Sequence, residues 1–182
     1  MRVITGLARG RKLRTLDGND VRPTTDMVKE SMFSIIQFDI EGRSVLDLFS
    51  GCGQLGIEAV SRGAKEAVFV DKSKQSAAVT LENIKSVGFE DKCKVYNKDY
   101  AAFLSGCSQK FDIVFLDPPY STGVLGQALS KLDCVLKDTS VVICEHPFGE
   151  EMPDSVGNLN LYRNYKYGKL AVTVYKRGDV DG

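Results

Sequence analysis

The sequence predicts an α/β fold whose mainly parallel sheet ends in an antiparallel hairpin. Two observations predict it. From Ser44 onward, short apolar runs alternate with segments of helical character. Strands that alternate with helices pair in parallel through right-handed crossovers, with helices on both faces. The last stretch changes pattern. Residues 159–165 and 170–175 alternate apolar and polar around Tyr167-Gly168-Lys169, as the two arms of a hairpin do.

The elements follow in order. Residues 2–5 and 12–16 read as two short strands that turn through Ala8-Arg9-Gly10, a small N-terminal β-hairpin. Arg22-Pro23-Thr24-Thr25-Asp26 comes next. Thr24 or Thr25 can cap a helix whose apolar face carries Met27, Met32, Phe33, Ile35 and Ile36. Parallel strands are expected at 45–49, 67–70, 95–96, 113–116 and 141–144, and helices at 55–62, 74–87, 100–104 and 124–136. With the two hairpin arms the main sheet has seven strands. The expected organisation is a basic hairpin and helix over residues 1–42, packed on a main domain over residues 43–178.

Composition narrows the class. With 182 residues, 43% apolar and 26% charged, the chain suits one globular domain with a sizeable core. No apolar run approaches the roughly 20 residues of a membrane span. The first residues lack the apolar stretch of a secretory signal, so the expected location is the cytoplasm. Cys52, Cys93, Cys107, Cys134 and Cys144 are scattered and form no C-x-x-C pair, so reduced and mostly buried thiols are expected, with no metal site. Net charge is zero, but residues 1–22 hold Arg2, Arg9, Arg11, Lys12, Arg14 and Arg22 against Asp17 and Asp20, which is +4. Such a segment fits either a phosphate-contacting patch or a solvated hairpin.

Four places carry candidate chemistry. Asp47-Leu48-Phe49-Ser50-Gly51-Cys52-Gly53-Gln54-Leu55-Gly56 closes the first parallel strand and opens a helix. Its glycines match G-x-G-x-x-G, which permits a tight turn and close backbone approach to a ligand. A nicotinamide or flavin nucleotide shares that pattern. Asp47, at the strand end, suits a ligand with a cationic amino or sulfonium group better than a pyrophosphate. Asp71 ends the second strand, 20 residues after Gly51, where a carboxylate can accept from both ribose hydroxyls. Asp99-Tyr100 follows the third strand. It can meet an adenine amino group and ring, or Asp99 can simply cap a helix.

The fourth place discriminates. An apolar strand runs into Asp117-Pro118-Pro119-Tyr120. Two prolines remove two N–H donors and leave carbonyls free at the strand's C-terminal edge, where ligands of open α/β sheets bind. Asp117 and the Pro118 carbonyl are then two acceptors for a two-donor group, an exocyclic amine. The amine of a nucleobase is a poor nucleophile because its lone pair is delocalised into the ring. Two acceptors can favour a pyramidal nitrogen, and the carboxylate offsets charge developing there. Tyr120 offers a face for base stacking. His146, after a further strand, can line the same cleft or serve a turn with Pro147.

Taken together, these segments resemble the bacterial methyltransferases that modify the N2 amino group of a guanine in 16S ribosomal RNA. The resemblance runs over residues 2–176. It is carried by Gly10-Arg11-Lys12-Leu13, Arg22-Pro23-Thr24-Thr25-Asp26-Met27-Val28-Lys29-Glu30, the glycine loop with Leu55-Gly56-Ile57-Glu58-Ala59, Val70-Asp71-Lys72-Ser73, and Phe115-Leu116-Asp117-Pro118-Pro119-Tyr120. It implies a Rossmann-like class I fold that uses S-adenosylmethionine. Asp47, Gly51 and Gly53 would hold the methionine part, Asp71 the ribose and Asp99 the adenine, with Phe49, Ser50, Lys72 and Tyr100 also in the cofactor site. Asp117, Pro118, Pro119 and Tyr120 would hold the target guanine. Arg9, Arg11, Lys12, Arg22, Pro23 and Thr24 would face the RNA, 16S rRNA within a small-subunit particle, with the enzyme a monomer. Two positions depart from the family pattern: Leu16 stands where proline is frequent, and Cys52 where Ser or Thr is frequent. Oxidation of Cys52 would hinder cofactor binding.

Other readings stay open on sequence. The amine site equally suits adenine N6 or cytosine N4 in DNA, or a glutamine amide in protein. A NAD(P)-linked oxidoreductase accounts for the glycine loop and Asp71 but leaves Asp117 to Tyr120 without a role. A non-catalytic RNA-binding module leaves both sites without one.

Overall fold

The computed structural model describes residues 1–17, 25–120 and 122–178. Five parallel strands come first in the chain: β1 (Ser44–Asp47), β2 (Glu66–Asp71), β3 (Cys93–Asn97), β4 (Phe111–Leu116) and β5 (Leu136–Pro147). Three antiparallel strands continue the sheet: β6 (Ser155–Val156), β7 (Leu159–Tyr167) and β8 (Leu170–Arg177). The spatial order is β3-β2-β1-β4-β5-β8-β7-β6. The helices among the described residues are α1 (Asp26–Ile35), α2 (Gln54–Ser61), α3 (Lys74–Val87), α4 (Tyr100–Gly106) and α5 (Val124–Lys131), with a 3-10 turn over Leu132–Val135. Among the described residues no helix is long and apolar enough to cross a membrane.

Alternation along the strands sorts their side chains into two cores. Val45, Ala67, Phe69, Ile113 and Phe115 point to one face and pack with Met32 and Phe33 of α1 and Ile57 and Val60 of α2. Leu46, Val68, Val70, Val114 and Leu116 point to the other and pack with Phe103 of α4 and Leu129 of α5. Phe33 meets Phe115 with ring centroids 5.4 Å apart. β1 and β4 are buried throughout, as strands covered on both faces must be. β3, at the edge, is largely exposed.

Local chemistry sets the helix ends. Thr25 caps α1 by accepting from the Val28 N–H at 3.3 Å. Ser73 caps α3, and Gly88 ends it in a left-handed conformation with its N–H turned back to the last turn. The expected span of α3 therefore holds to the residue. Met27, expected on the apolar face of α1, is 63% exposed; Val28 and Lys29 are buried in its place.

Three further expectations are corrected. The sheet has an eighth strand, because Ser155 and Val156 pair with Asn160 and Leu159 at the free edge of β7. Leu136, expected at a helix end, begins the twelve-residue β5. The N-terminal hairpin is reduced to a single antiparallel bridge between Arg2 and Lys12. Its backbone is also bound to other elements. The Ile4 and Thr5 N–H groups donate to the Glu58 carboxylate at 2.9 and 3.0 Å. The Leu7 N–H reaches the Ser61 carbonyl, the Ala8 N–H the Ser61 Oγ, and the Arg14 N–H the Asn83 Oδ1. The segment pairs with itself through the Val3 N–H to the Arg11 carbonyl and the Leu13 N–H to the Met1 carbonyl, and is stapled to α2 and α3 as well. Gly6 permits this approach: a Cβ there would stand 1.8 Å from the Ser61 carbonyl oxygen.

Candidate active site

The strand order reverses beside β1, which lies between β2 and β4. In open α/β sheets the crevice outside the carboxyl ends at such a switch point is where ligands bind. Asp47, Asp71 and Asn97 end β1, β2 and β3, and Asp117 follows β4 directly. In register Asp47 stands beside Phe115, two residues before Asp117.

The three glycines of the loop have three different reasons. Gly51 has φ of +56° and faces open space, so the backbone there is free to meet a ligand. Gly53, with φ of +85°, is the N-cap of α2 and packs on Thr80. A Cβ on Gly56 would stand 2.3 Å from the Phe69 ring, so that glycine lets α2 lie against the sheet. Thr80 Oγ1 donates to the Gly51 carbonyl at 2.8 Å and Asn83 Nδ2 to the Cys52 carbonyl at 2.8 Å, which fixes the loop from α3.

Asp47 is buried, and its Oδ2 accepts from the Gly56 N–H at 3.2 Å. Burial pushes its carboxyl up to about 7, against that hydrogen bond. Asp47 Oδ1, Ser50 Oγ and Gln54 Oε1 are buried without a hydrogen-bond partner; among the described residues only Arg62 Nη2 shares that condition. Three acceptors in one loop await a donor, as a cationic amino group would supply. A pyrophosphate would bring acceptors only. The site therefore fits the methionine end of S-adenosylmethionine.

The other cofactor candidates ring this loop. Asp71 accepts from the Gly51 N–H and the Ser73 N–H, each at 2.9 Å, so its carboxylate also orders the loop. Lys72 is exposed beside it. Asp99 caps α4 through the Ala101 N–H at 2.9 Å and is exposed. Tyr100 tilts against Phe49, ring centroids 5.3 Å apart, and its hydroxyl donates to Gln127 at 3.2 Å. Cys52 is buried with its sulfur 3.4 Å from Met1 Sδ, and burial raises its thiol pKa. It is a shielded thiol, which argues against easy oxidation. Cys144 is buried too, but Cys93 and Cys107 are half-buried and Cys134 is exposed, so the thiols are less covered than expected.

Beside the loop, Pro118 is buried, Asp117 and Tyr120 are half-buried, and Pro119 is exposed. The Tyr120 hydroxyl donates to Glu145 Oε1 at 2.9 Å. Glu145, 2% exposed, sits at the C-terminal end of β5. A small pocket is lined by Pro118, Pro119, Tyr120, Glu145, His146 and Glu150. His146 does line this cleft, but its ring is buried and bound, Nε2 2.7 Å from Thr173 Oγ1 and Nδ1 3.0 Å from the Pro147 carbonyl.

Sequence reasoning missed Glu145, although its signal was present: an acid closing the apolar run Val141-Val142-Ile143-Cys144 at a ligand-binding edge. It also missed Asn83, whose carboxamide pairs with both backbone groups of Arg14 while holding Cys52. Of the basic residues, Arg9 and Lys12 are exposed, and the Arg11 guanidinium donates to the Ser86 carbonyl. Arg22, Pro23 and Thr24 lie outside the described residues.

Comparison with known proteins agrees with this geometry. A family model described as "Conserved hypothetical protein 95" matches residues 1–176. YlbH of Bacillus subtilis, assigned as an rRNA methyltransferase, is 37% identical, over 97% of this chain and 99% of its own. Ribosomal RNA small subunit methyltransferase D of Escherichia coli is 31% identical, over 97% of this chain and 90% of its own. The solved structure of Escherichia coli yhhF, assigned as a methyltransferase, superposes with a TM-score of 0.87 at 32% identity, over 97% of both chains. An RNA methyltransferase of Salinibacter ruber, in complex with S-adenosyl-L-homocysteine, shares the fold at a TM-score of 0.65 and 18% identity, over 87% of this chain and 95% of its own. With this fold and these relatives, the chain belongs to the conserved hypothetical protein 95 family of Rossmann-like, S-adenosylmethionine-dependent methyltransferases.

Proposed function

We propose that the protein methylates the exocyclic N2 amino group of a guanine in 16S rRNA of the small ribosomal subunit. One observation carries the reading. A glycine loop with orphaned buried acceptors stands at the switch point, beside a neighbouring strand that ends in Asp117-Pro118-Pro119-Tyr120.

Asp47, Phe49, Ser50, Gly51 and Gly53 would hold the methionine part of S-adenosylmethionine, with Gln54 as an added acceptor. Asp71 and Lys72 would hold the ribose, and Asp99 and Tyr100 the adenine. The bound cofactor supplies an electrophilic methyl group on a sulfonium. The chain's own residues then position and stabilise. Asp117 and the Pro118 carbonyl accept the two amine hydrogens and aim the nitrogen lone pair at the methyl carbon. The Asp117 carboxylate offsets the positive charge growing on nitrogen, and the surplus proton leaves to Asp117 or water. Tyr120, tethered by Glu145, presents a stacking face. The transfer needs neither a metal nor a covalent enzyme intermediate.

RNA is favoured over DNA and protein by the names of the relatives and by the exposed Arg9 and Lys12. Arg11, Arg22, Pro23 and Thr24 complete the proposed RNA-facing set. A guanine must expose its N2 edge, and a chain of 182 residues has little surface for reading sequence, so an assembled particle is the proposed substrate, met by a monomer. Equal rates on particle and naked RNA would contradict that part.

Asp117→Ala should cut turnover at least about 10²-fold, the scale of losing a preorganised transition-state contact. Cofactor affinity, measured calorimetrically, should stay unchanged. Near-normal turnover in this variant would remove Asp117 from the chemistry.

A further inference from the structure

We propose that the turn end of the β7–β8 hairpin, with Phe148, Lys166 and Lys169, is an RNA-docking surface at the sheet edge that carries Asp117 to Tyr120. The proposal rests on the rRNA reading above and names a second contact surface for that substrate, apart from the N-terminal segment.

Charge comes first. Residues 159–178 hold Arg163, Lys166, Lys169, Lys176 and Arg177 and no Asp or Glu. That is +5 on a chain of zero net charge, more than the +4 of residues 1–22. Arg177 is paired with Asp133 at 3.5 Å. Arg163 and Lys176 lie over the Tyr162 ring, at 5.4 and 3.8 Å from its centroid. This is a basic surface interleaved with aromatic rings, the combination that tracks a phosphate backbone and stacks bases.

Topology puts one end of it beside the chemistry. β8 runs antiparallel to β5, with Leu170 opposite Pro147, so the turn at Gly168-Lys169 falls at the same carboxyl edge as Asp117. The Phe148 N–H donates to the Lys169 carbonyl at 2.9 Å. The Phe148 ring is 54% exposed, and the Lys166 ammonium lies 4.1 Å from its centroid. Lys166 and Lys169 are exposed. His146 and Glu150, on either side of Phe148 in sequence, line the pocket with Pro118 and Tyr120. A target base held by Asp117 to Tyr120 therefore brings its flanking nucleotides to this turn. Their phosphates meet the two ammonium groups, and an unstacked neighbouring base meets the ring.

The test uses the full chain with Lys166→Glu/Lys169→Glu, Phe148→Ala and Phe148→Tyr. Methyl transfer to small subunits is measured across a salt series, with naked 16S rRNA binding, cofactor affinity and Tm alongside. In the charge-reversed variant KM for subunits should rise at least about tenfold, with kcat, Tm and cofactor affinity unchanged. The slope of log affinity against log salt should flatten by roughly 1.4 to 1.8, the share of two phosphate contacts. Phe148→Ala should raise KM, and Phe148→Tyr should restore it. An active wild type with unchanged KM and salt slope in these variants would overturn the docking surface alone. Weakened activity on particles with undiminished binding to naked rRNA would assign the surface to a ribosomal protein and overturn the RNA contact. A wild type silent on every RNA would overturn the rRNA reading, and this surface with it.

Discussion

Asp47 shows what one residue carries. The same burial that raises its carboxyl to about 7 underlies its proposed role as the receptor for the cofactor's amino group. The unfolded chain releases this proton near the ordinary carboxylate value of about 4, whereas the folded, ligand-free protein keeps it until about 7. The folded state therefore binds more protons in that window. Stability from this group is complete below about pH 4 and is lost as pH rises through 7. Asp47→Asn has no proton to lose. Ligand-free wild type should thus lose Tm relative to Asp47→Asn between pH 4 and 8, and parallel curves would contradict the raised pKa. The same variant should bind S-adenosylmethionine about tenfold more weakly at pH 8, the scale of one charged hydrogen bond. Of this residue, its place at the strand end was legible in the sequence. Its orphaned Oδ1 was not, because burial depends on how α2 seats on the sheet.

At the scale of elements, the N-terminal segment, α1 and α2 are joined by a buried ionic centre. Glu58 accepts from the Ile4 and Thr5 N–H groups and from Arg62 Nε, and lies 3.4 Å from Lys29 Nζ. Lys29 is itself buried and also donates to the Arg2 carbonyl at 2.8 Å; desolvation lowers its pKa despite Glu58. Removing one member leaves the other charge buried without compensation. Glu58→Ala should cost about 3–5 kcal/mol in denaturant unfolding and free the N-terminal backbone for hydrogen exchange. Adding Lys29→Met should recover part of that loss, because the two sites share one interaction. A loss under about 1 kcal/mol would show that the segment is held by its apolar contacts alone. Here the sequence misled. Residues 2–5 and 12–16 have strand composition and do pair around Arg2 and Lys12, but the ladder stays short because the next N–H groups find a buried carboxylate, Ser61 and Asn83. Strand propensity reports a local preference, and these partners lie more than fifty positions away in the chain. α3, by contrast, was legible to the residue, because Ser73 and Gly88 bound it locally.

For the whole molecule, order along the chain was enough to bring the candidate residues to one edge of the sheet. Strands that read as alternating with helices put Asp47, Asp71 and Asp117 at one edge of the sheet, and the parallel register of β1 with β2 and β4 does so. What the linear pattern hid was which later residues return to that edge. Lys169 arrives there because β8 runs back against β5, carrying it to Phe148, whereas Glu145 closes an apolar run and had a signal in the sequence. Such long-range adjacency is a property of topology. The eighth strand was hidden for a similar reason: two residues carry no periodicity, and only the free edge of β7 makes Ser155 and Val156 a strand. The central claim is that this edge holds a methyl donor and a guanine amine side by side. It is tested most directly by transfer of labelled methyl from S-adenosylmethionine to unmodified small subunits, naked 16S rRNA, 23S rRNA, DNA and protein, followed by digestion and identification of the labelled product. The account predicts label recovered as N2-methylguanosine from small-subunit RNA. Label on adenine, on DNA or on protein, or no label from a preparation that binds the cofactor, would contradict it.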